Sequence, residues 1–344
     1  MERAGQLAGS HHTHPNPRVG AVILDAAGSI VGEGSHRGPG SRHAEIEALA
    51  AAGPASEGAT MVVTLEPCVH YGLTPPCTDA IVAAGIARVV VGAVDPDERV
   101  GGGGIAALRR AGIAVEVDPD ANRWEAIDPD YFHHRRTGRS RFMLKQAATL
   151  DGQTAALMGS SRWITGERAR ADAHRLRSEA DAVLIGAGTL LSDDPGLDVR
   201  LPNWNGPQPR PVVVAGRRPL PIEAKIWDRS ALVVATSEPP IPIDTLLVPP
   251  GPDGLPDVGE MSRLLPSLGI LGVLVEGGAT IVSSLFKAGL IDSGVLYLGG
   301  KLATGIGKGL FAVPWFTLED AIDVDITDVK MLGPDLRVSW TRST

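Results

Sequence analysis

The sequence predicts an α/β protein of two domains. Three observations carry that prediction. Short apolar runs rich in β-branched residues alternate with helical patterns, as in a sheet layered by helices. The alternation restarts after a break at Thr137–Ser140. A length of 344 residues suits two cores rather than one. The boundaries read as 1–138 and 139–344, and no internal repeat is visible, so the halves are different domains.

In the first half, Val19–Leu24, Met61–Leu65 and Arg88–Val94 read as buried strands. Ala44–Ala52, Thr78–Ala84 (closed by Gly85), Ile105–Ala111 and Asn122–Arg136 read as helices. The run Gly101–Gly104 is either a flexible loop or a loop beside a ligand. In the second half the expected strands are Phe142–Ala148, Ala182–Ile185, Pro211–Ala215, Ala231–Ala235, Gly272–Val275 and Ser293–Leu298. The expected helices are Glu167–Ser178 and Thr280–Ala288. The proline-rich stretches Leu201–Pro211 and Pro239–Pro256 read as surface loops.

Composition narrows the function classes. A hydrophobic fraction of 43% and a charged fraction of 21% are those of an ordinary globular protein. A net charge of −8 argues against a partner held by its phosphate backbone, so no nucleic acid is expected. No run approaches the ~20 apolar residues of a membrane span, and none near the N-terminus has signal-peptide length. Only Cys68 and Cys77 are present. Two thiols make a poor disulfide framework, but near a histidine they suit a metal in a reducing compartment. A cytoplasmic enzyme is the expectation.

The chemistry-bearing pattern has three parts: His43-Ala44-Glu45 opening a helix, Pro67-Cys68 closing a strand, and Pro75-Pro76-Cys77 opening the next helix. A catalytic zinc takes three protein ligands and keeps an open position for water, whose pKa it lowers toward ~7. His43, Cys68 and Cys77 supply such a set. Glu45, two residues from the histidine, is placed to move a proton without ligating, as in zinc deaminases. An H-x-E pattern alone is worthless; the paired Pro-Cys elements give it weight. By composition His70 is a possible fourth ligand. Asn16 can also be read as a turn-former between prolines. His11, His12 and His14 read as a solvated loop rather than a second metal cluster.

The spacing of the cysteines departs from P-C-x-x-C, and there the pattern becomes specific. Thr64-Leu65-Glu66-Pro67-Cys68, His70-Tyr71-Gly72, Thr74-Pro75-Pro76-Cys77 and the upstream His14-Pro15-Asn16-Pro17-Arg18-Val19-Gly20 resemble the bifunctional riboflavin biosynthesis deaminase/reductase family. The second half continues the resemblance through Lys145-Gln146-Ala147, Leu150-Asp151-Gly152, Ser161-Arg162-Trp163-Ile164-Thr165, Leu176-Arg177, Gly186-Ala187-Gly188-Thr189, Asp193-Asp194-Pro195, Leu197-Asp198-Val199-Arg200 and Val275-Glu276-Gly277-Gly278-Ala279-Thr280.

The resemblance implies a cytidine-deaminase-like α/β/α sandwich followed by a dihydrofolate-reductase-like α/β domain. It implies zinc and NADPH as cofactors, a phosphorylated pyrimidine as substrate, and self-association. Asn16 and His70 would meet substrate in the first domain. Ser161, Arg177, Leu197, Arg200 and Glu276 would do so in the second, with Lys145 near the ribose being reduced. Ala147, Trp163, Thr189, Asp193 and the turn Gly278, Ala279, Thr280, Ile281, Val282, Ser283, Ser284 would meet NADPH.

Physical reasons run beside some of these roles. Glycines after a strand let a pyrophosphate approach helix N–H groups. Arg177 and Arg200 are candidates for a paired guanidinium grip on phosphate. Arg217 and Arg218, just past a strand end, are candidates for the 2′-phosphate of NADPH; a solvated turn is their other reading. The chain departs from the family pattern at Leu73, where a cation is usual, at Asp198 and at Ser293. Two other readings stand: a nucleobase or nucleic-acid deaminase with an unrelated C-terminal binding module, and a deaminase half decayed to a structural role.

Overall fold

The computed structural model describes every residue except 72–74, 99, 161–162, 312–315 and 344. Leu73 and Ser161 therefore lie outside the described residues. The chain forms two compact units, Met1–Gly138 and Arg139–Thr344.

The first unit opens with α1 (Glu2–Ala8), β1 (Gly20–Leu24), β2 (Ile30–Ser35) and α2 (Ala44–Ala52). It continues with β3 (Thr60–Leu65), α3 (Cys77–Ala83), β4 (Arg88–Ala93), α4 (Gly103–Arg110) and β5 (Ala114–Val117), and closes with α5 (Ala121–Glu125) and α6 (Pro129–Thr137). The sheet order is β2-β1-β3-β4-β5. β1 runs antiparallel to both β2 and β3, whereas β3, β4 and β5 are parallel. Ile23 of β1, Met61 and Val63 of β3, and Val89 and Val91 of β4 are fully buried, in keeping with the continuous apolar runs of the central strands.

Two glycines bring helices onto the site. A Cβ on Gly34 of β2 would lie 2.1 Å from the Ala44 carbonyl oxygen, so glycine lets the start of α2 rest on the strand. A Cβ on Gly104 would lie 2.0 Å from the Pro67 oxygen. Glu66 then accepts the N–H groups of Gly102 and Ile105, each at 2.9 Å. The glycine run is thus neither a free loop nor visibly a ligand loop: it is the close contact between α4 and the turn that carries Cys68.

Several expectations are corrected here. Asn122–Arg136 is two helices, because the Asp128 carboxylate accepts the Tyr131 N–H and caps a fresh start with Pro129 in the first turn. α1, β2 and β5 were not foreseen. The histidine loop is not solvated at His14. That side chain is 1% exposed and pairs with Asp128 at 2.8 Å, and Asp128 also accepts the Arg18 N–H at 2.9 Å. A partner so far along the chain leaves no trace in local sequence.

The second unit contains β6 (Arg141–Thr149), α7 (Glu167–Glu179), β7 (Ala182–Gly186), α8 (Ala187–Asp193), β8 (Arg210–Val214), β9 (Leu232–Ala235) and β10 (Asp244–Leu247). After these come α9 (Val258–Leu264), β11 (Gly272–Gly277), α10 (Ala279–Lys287), β12 (Ile291–Gly299), β13 (Val324–Leu332) and β14 (Asp335–Arg342). The sheet order is β10-β9-β8-β7-β11-β6-β12-β14-β13. All pairings are parallel except those made by β14.

Alternation splits the core of this unit. Leu184 joins Phe142, Val212 and Leu285 in one apolar cluster, while Val183 and Ile185 join Leu176, Leu190 and Tyr297 in another. β10 lies inside the stretch read as a loop at Pro239–Pro256. It is a four-residue edge strand whose ends are exposed and whose middle is only partly buried, so no long apolar run announced it. The β13–β14 hairpin was missed because most of it is polar or exposed.

Candidate active sites

In the first unit, the turn after β3 carries Cys68, α3 begins at Cys77, and His43 caps α2 in an extended conformation. The His43 Nδ1 lies 3.2 Å from Cys77 Sγ and 3.7 Å from Cys68 Sγ, and the Cys77 N–H donates to Cys68 Sγ at 3.3 Å. All three ligand atoms fall within 4.8 Å of one another. Tetrahedral zinc bonds of about 2.0 Å to nitrogen and 2.3 Å to sulfur would separate the donors by roughly 3.5 Å, so the residues fit that ion.

The electrostatics agree. The Cys68 thiol is pulled down to about 4 by its hydrogen bonds with Cys77 and His43, which outweigh burial. The other proton stays on Cys77, held up by Cys68 and by burial. A divalent cation between them would take both off. His43 is raised, first by the Cys68 hydrogen bond. Glu45 is 4% exposed, and burial together with the Cys68 charge pushes its carboxyl upward. That places a carboxyl able to hold a proton beside the three donors.

Asn16 is positioned from both ends. Its carbonyl accepts the Thr13 hydroxyl at 2.9 Å, and its Nδ2 donates to His36 Nε2 at 2.9 Å. His36 donates from Nδ1 to the Arg42 carbonyl at 3.0 Å, which leaves Nε2 as an acceptor and the ring neutral; burial keeps its pKa low. The His36 ring meets His43 edge-on at 5.4 Å. His36 was not foreseen: a lone histidine after Gly34-Ser35 carries no pattern. His70 is outside the His43–Cys68–Cys77 group, and its buried Nδ1 has no hydrogen-bond partner among the described residues.

In the second unit a cavity of about 1390 Å³ opens where β6, β7, β8 and β11 end. Pockets for a single small molecule measure roughly 300–1,000 Å³, so this larger cavity has room for a dinucleotide and a second molecule. Lys145, Ala147, Trp163, Thr189, Asp193, Arg217, Arg218 and Glu276 line it, as do Gly278, Ala279, Thr280, Ile281, Val282 and Ser284 at the start of α10. Gly278 holds φ +82 at the N-cap, a left-handed conformation that suits glycine. Ser283 is not on the lining; its hydroxyl donates to the Ala279 carbonyl.

Arg177, Leu197 and Arg200 are also off the lining. The paired guanidinium bonds expected for phosphate go instead from Arg177 to Glu276, with Nη2 at 2.9 Å from Oε2, while Nη1 donates to the Asp198 carbonyl at 2.8 Å. Leu197 is buried in the core and has φ +51. Arg200 pairs with Asp198 at the surface. Lys145 Nζ stands 3.6 Å from Glu276 Oε2. Burial would raise the Glu276 carboxyl, but Lys145 and Arg177 overcome it and hold it at about 2. Glu276 is therefore a fixed anion between two cations at the cavity wall. Trp163 also faces the cavity, with the Arg170 guanidinium 4.4 Å above its ring.

A histidine–dicysteine group beside a buried glutamate, and a parallel-sheet unit with a nucleotide-sized cavity at its strand ends, define a bifunctional enzyme: a zinc deaminase joined to a reductase. Residues 1–93 match the model of the cytidine and deoxycytidylate deaminase zinc-binding region. Residues 141–335 match that of the RibD C-terminal domain.

Among curated relatives, the riboflavin biosynthesis protein RibD of Escherichia coli (strain K12) is 38% identical over 98% of this chain and 96% of its own length. That of Aquifex aeolicus (strain VF5) is 38% identical over 96% and 94%. Among solved structures, Acinetobacter baumannii RibD, form 1, superposes with a TM-score of 0.90 at 34% identity, covering 100% of this chain and 98% of that one. A Thermotoga maritima diaminohydroxyphosphoribosylaminopyrimidine deaminase/5-amino-6-(5-phosphoribosylamino)uracil reductase gives 0.89 at 31%, covering 100% and 97%. The chain belongs to the bifunctional riboflavin biosynthesis deaminase/reductase family, with zinc and NADPH as its cofactors. No helix among the described residues is long and apolar enough to cross a membrane.

Proposed function

We propose that the first unit deaminates 2,5-diamino-6-(5-phosphoribosylamino)pyrimidin-4-one and that the second reduces the ribose of the product to a ribityl chain. The observation that carries this reading is the three-donor group with buried Glu45 in a chain that also holds the reductase cavity. Bound at His43, Cys68 and Cys77, zinc would supply a Lewis acid that acidifies water, and NADPH bound along the Gly278 turn would supply hydride. Glu45 takes the proton that water gives up and returns it to the departing amino group, so water and the amine become a ring carbonyl and ammonia. Asn16, fixed by Thr13 and His36, orients the pyrimidine, with His70 beside it.

In the reductase, Lys145 and Glu276 face the ribose, and Arg177 acts through Glu276. Ala147, Trp163, Thr189 and Asp193 line the nicotinamide cofactor's side. Family resemblance adds Ser161, Leu197 and Arg200 to the substrate set, although Leu197 and Arg200 lie off the cavity lining here. The same proposal includes a cytoplasmic location and self-association. Incubation of the pure protein with the pyrimidine substrate should release one ammonia per molecule without NADPH, and a product two hydrogens heavier when NADPH is added. Ammonia without any NADPH-dependent mass change would refute the reductase half.

Arg217 and Arg218 line the cavity just beyond β8, and Arg217 is steadied by donating to the Asp253 carbonyl at 2.8 Å. If they grip the 2′-phosphate, the double variant Arg217→Ala/Arg218→Ala should raise the KM for NADPH about tenfold, near 1.4 kcal/mol. NADH should be little affected. Equal losses with both cofactors would move the phosphate contact elsewhere.

A further inference from the structure

The backbone from Trp163 to Gly166 is fixed residue by residue. Lys301 donates to the Trp163 carbonyl, and Arg170 donates to the Thr165 carbonyl at 2.7 Å. Gly299, the last residue of β12, lets the Ile164 carbonyl come close: a Cβ there would lie 2.3 Å from that oxygen. The Gly166 N–H donates to the buried Asp335 at 2.6 Å. Yet the indole that this segment carries is 61% exposed and lines the cavity. A large aromatic ring held so firmly and left open is a platform prepared for another group.

One face of that ring is taken by the Arg170 guanidinium, 4.4 Å from its centre. Arg170 stands in the first turn of α7, is half-buried, and pairs with no carboxylate among the described residues. Its positive charge therefore acts on the indole and on whatever lies across it.

The order of the strands decides which part of the cofactor reaches this ring. Arg217 and Arg218 stand past β8, the Gly278 turn follows β11, and the Trp163 segment is anchored at the end of β12. Between β8 and β12 lie β7, β11 and β6, a span of about 19 Å at ordinary strand spacing. NADPH with its 2′-phosphate at β8 and its pyrophosphate at the Gly278 turn thus brings its nicotinamide to Trp163, on the side of Lys145 in β6. The cofactor supplies hydride for C1′ of the ribose, solvent supplies the proton, and the nicotinamide passes from neutral to singly positive. A neutral ring stacks readily on an indole backed by a cation. A positive ring in that place is set against Arg170 across the indole.

We propose, resting on the reductase reading above, that Arg170 acts through Trp163 to make this site prefer the reduced cofactor. The stack accepts the neutral dihydronicotinamide and disfavours the positive ring left after reduction, so NADP⁺ is released and fresh NADPH replaces it.

Calorimetric titration of the full chain with NADPH and with NADP⁺ tests this. Wild type should bind NADPH the more tightly. Arg170→Met removes the charge, and Arg170→Gln removes it while keeping a donor for the Thr165 carbonyl. In both, the ratio of dissociation constants, NADP⁺ over NADPH, should fall about tenfold, whereas Arg170→Lys should keep it within about threefold of wild type. Trp163→Leu should weaken binding of both forms. A ratio unmoved in the two neutral variants, with both forms weakened alike, would make Arg170 a mere support for its loop and overturn the proposal. So would a wild type that binds NADP⁺ as tightly as NADPH, or a Trp163→Leu variant that binds both forms as wild type does; the reductase reading survives each of these. A wild type that binds neither form would overturn that reading as well.

Discussion

Replacing Glu45 with glutamine should slow ammonia release by about 10²–10⁴-fold while zinc remains bound at one ion per chain. Glutamine keeps the shape and cannot hold the proton. Glu45 lies on the second residue of α2, 4% exposed, beside but outside the group formed by His43, Cys68 and Cys77. The same variant, given the already deaminated intermediate, should reduce it at the wild-type rate, because that cavity is lined wholly by residues of the second unit. Metal analysis and the two rates together decide the role. Loss of zinc along with activity would make Glu45 a supporter of the metal rather than a proton carrier. A variant with undiminished ammonia release would remove it from the chemistry.

Much of this site is legible because its information is local. A metal group built from helix starts and a strand-end turn shows as His-x-Glu and two Pro-Cys steps, since each ligand sits where an element begins or ends. The parallel strands are legible for a related reason: residues buried on both sides, such as Val183 to Ile185, leave an unbroken apolar run.

What stayed hidden depends on partners far along the chain. His14 is buried only because Asp128 awaits it, and His36 matters only because Asn16 and His43 fold against it. A bulge at Thr327 in β13 is invisible until β14 sets the register. Arg177 looked free for phosphate because nothing nearby in sequence announces Glu276, 99 residues on. Edge elements such as β10 escaped because an exposed strand needs no apolar pattern.

The largest effect in the second unit should come from Glu276→Gln. Glu276 Oε2 accepts from Arg177 at 2.9 Å and faces Lys145 at 3.6 Å, and the three side chains are only 7, 13 and 19% exposed. Glutamine fills the space but leaves two cations without their anion. Breaking one partner out of such a buried cluster costs about 3 kcal/mol. The loss should depend on pH in a set direction. The Glu276 carboxyl is held at about 2 in the folded chain, against roughly 4.3 when unfolded. A lowered pKa stabilises fully above the unfolded value, and its contribution fades as pH falls through the folded one. The difference in Tm between wild type and variant should thus be full near pH 7 and shrink from about pH 5 down toward pH 2. Reduction should fall by about 10²-fold or more as well, since Lys145 loses the group that fixes it at the cavity wall and deaminase turnover does not depend on it. A variant with wild-type Tm at pH 7, or with a pH-independent loss, would show that Glu276 is not the anion on which Arg177 and Lys145 depend.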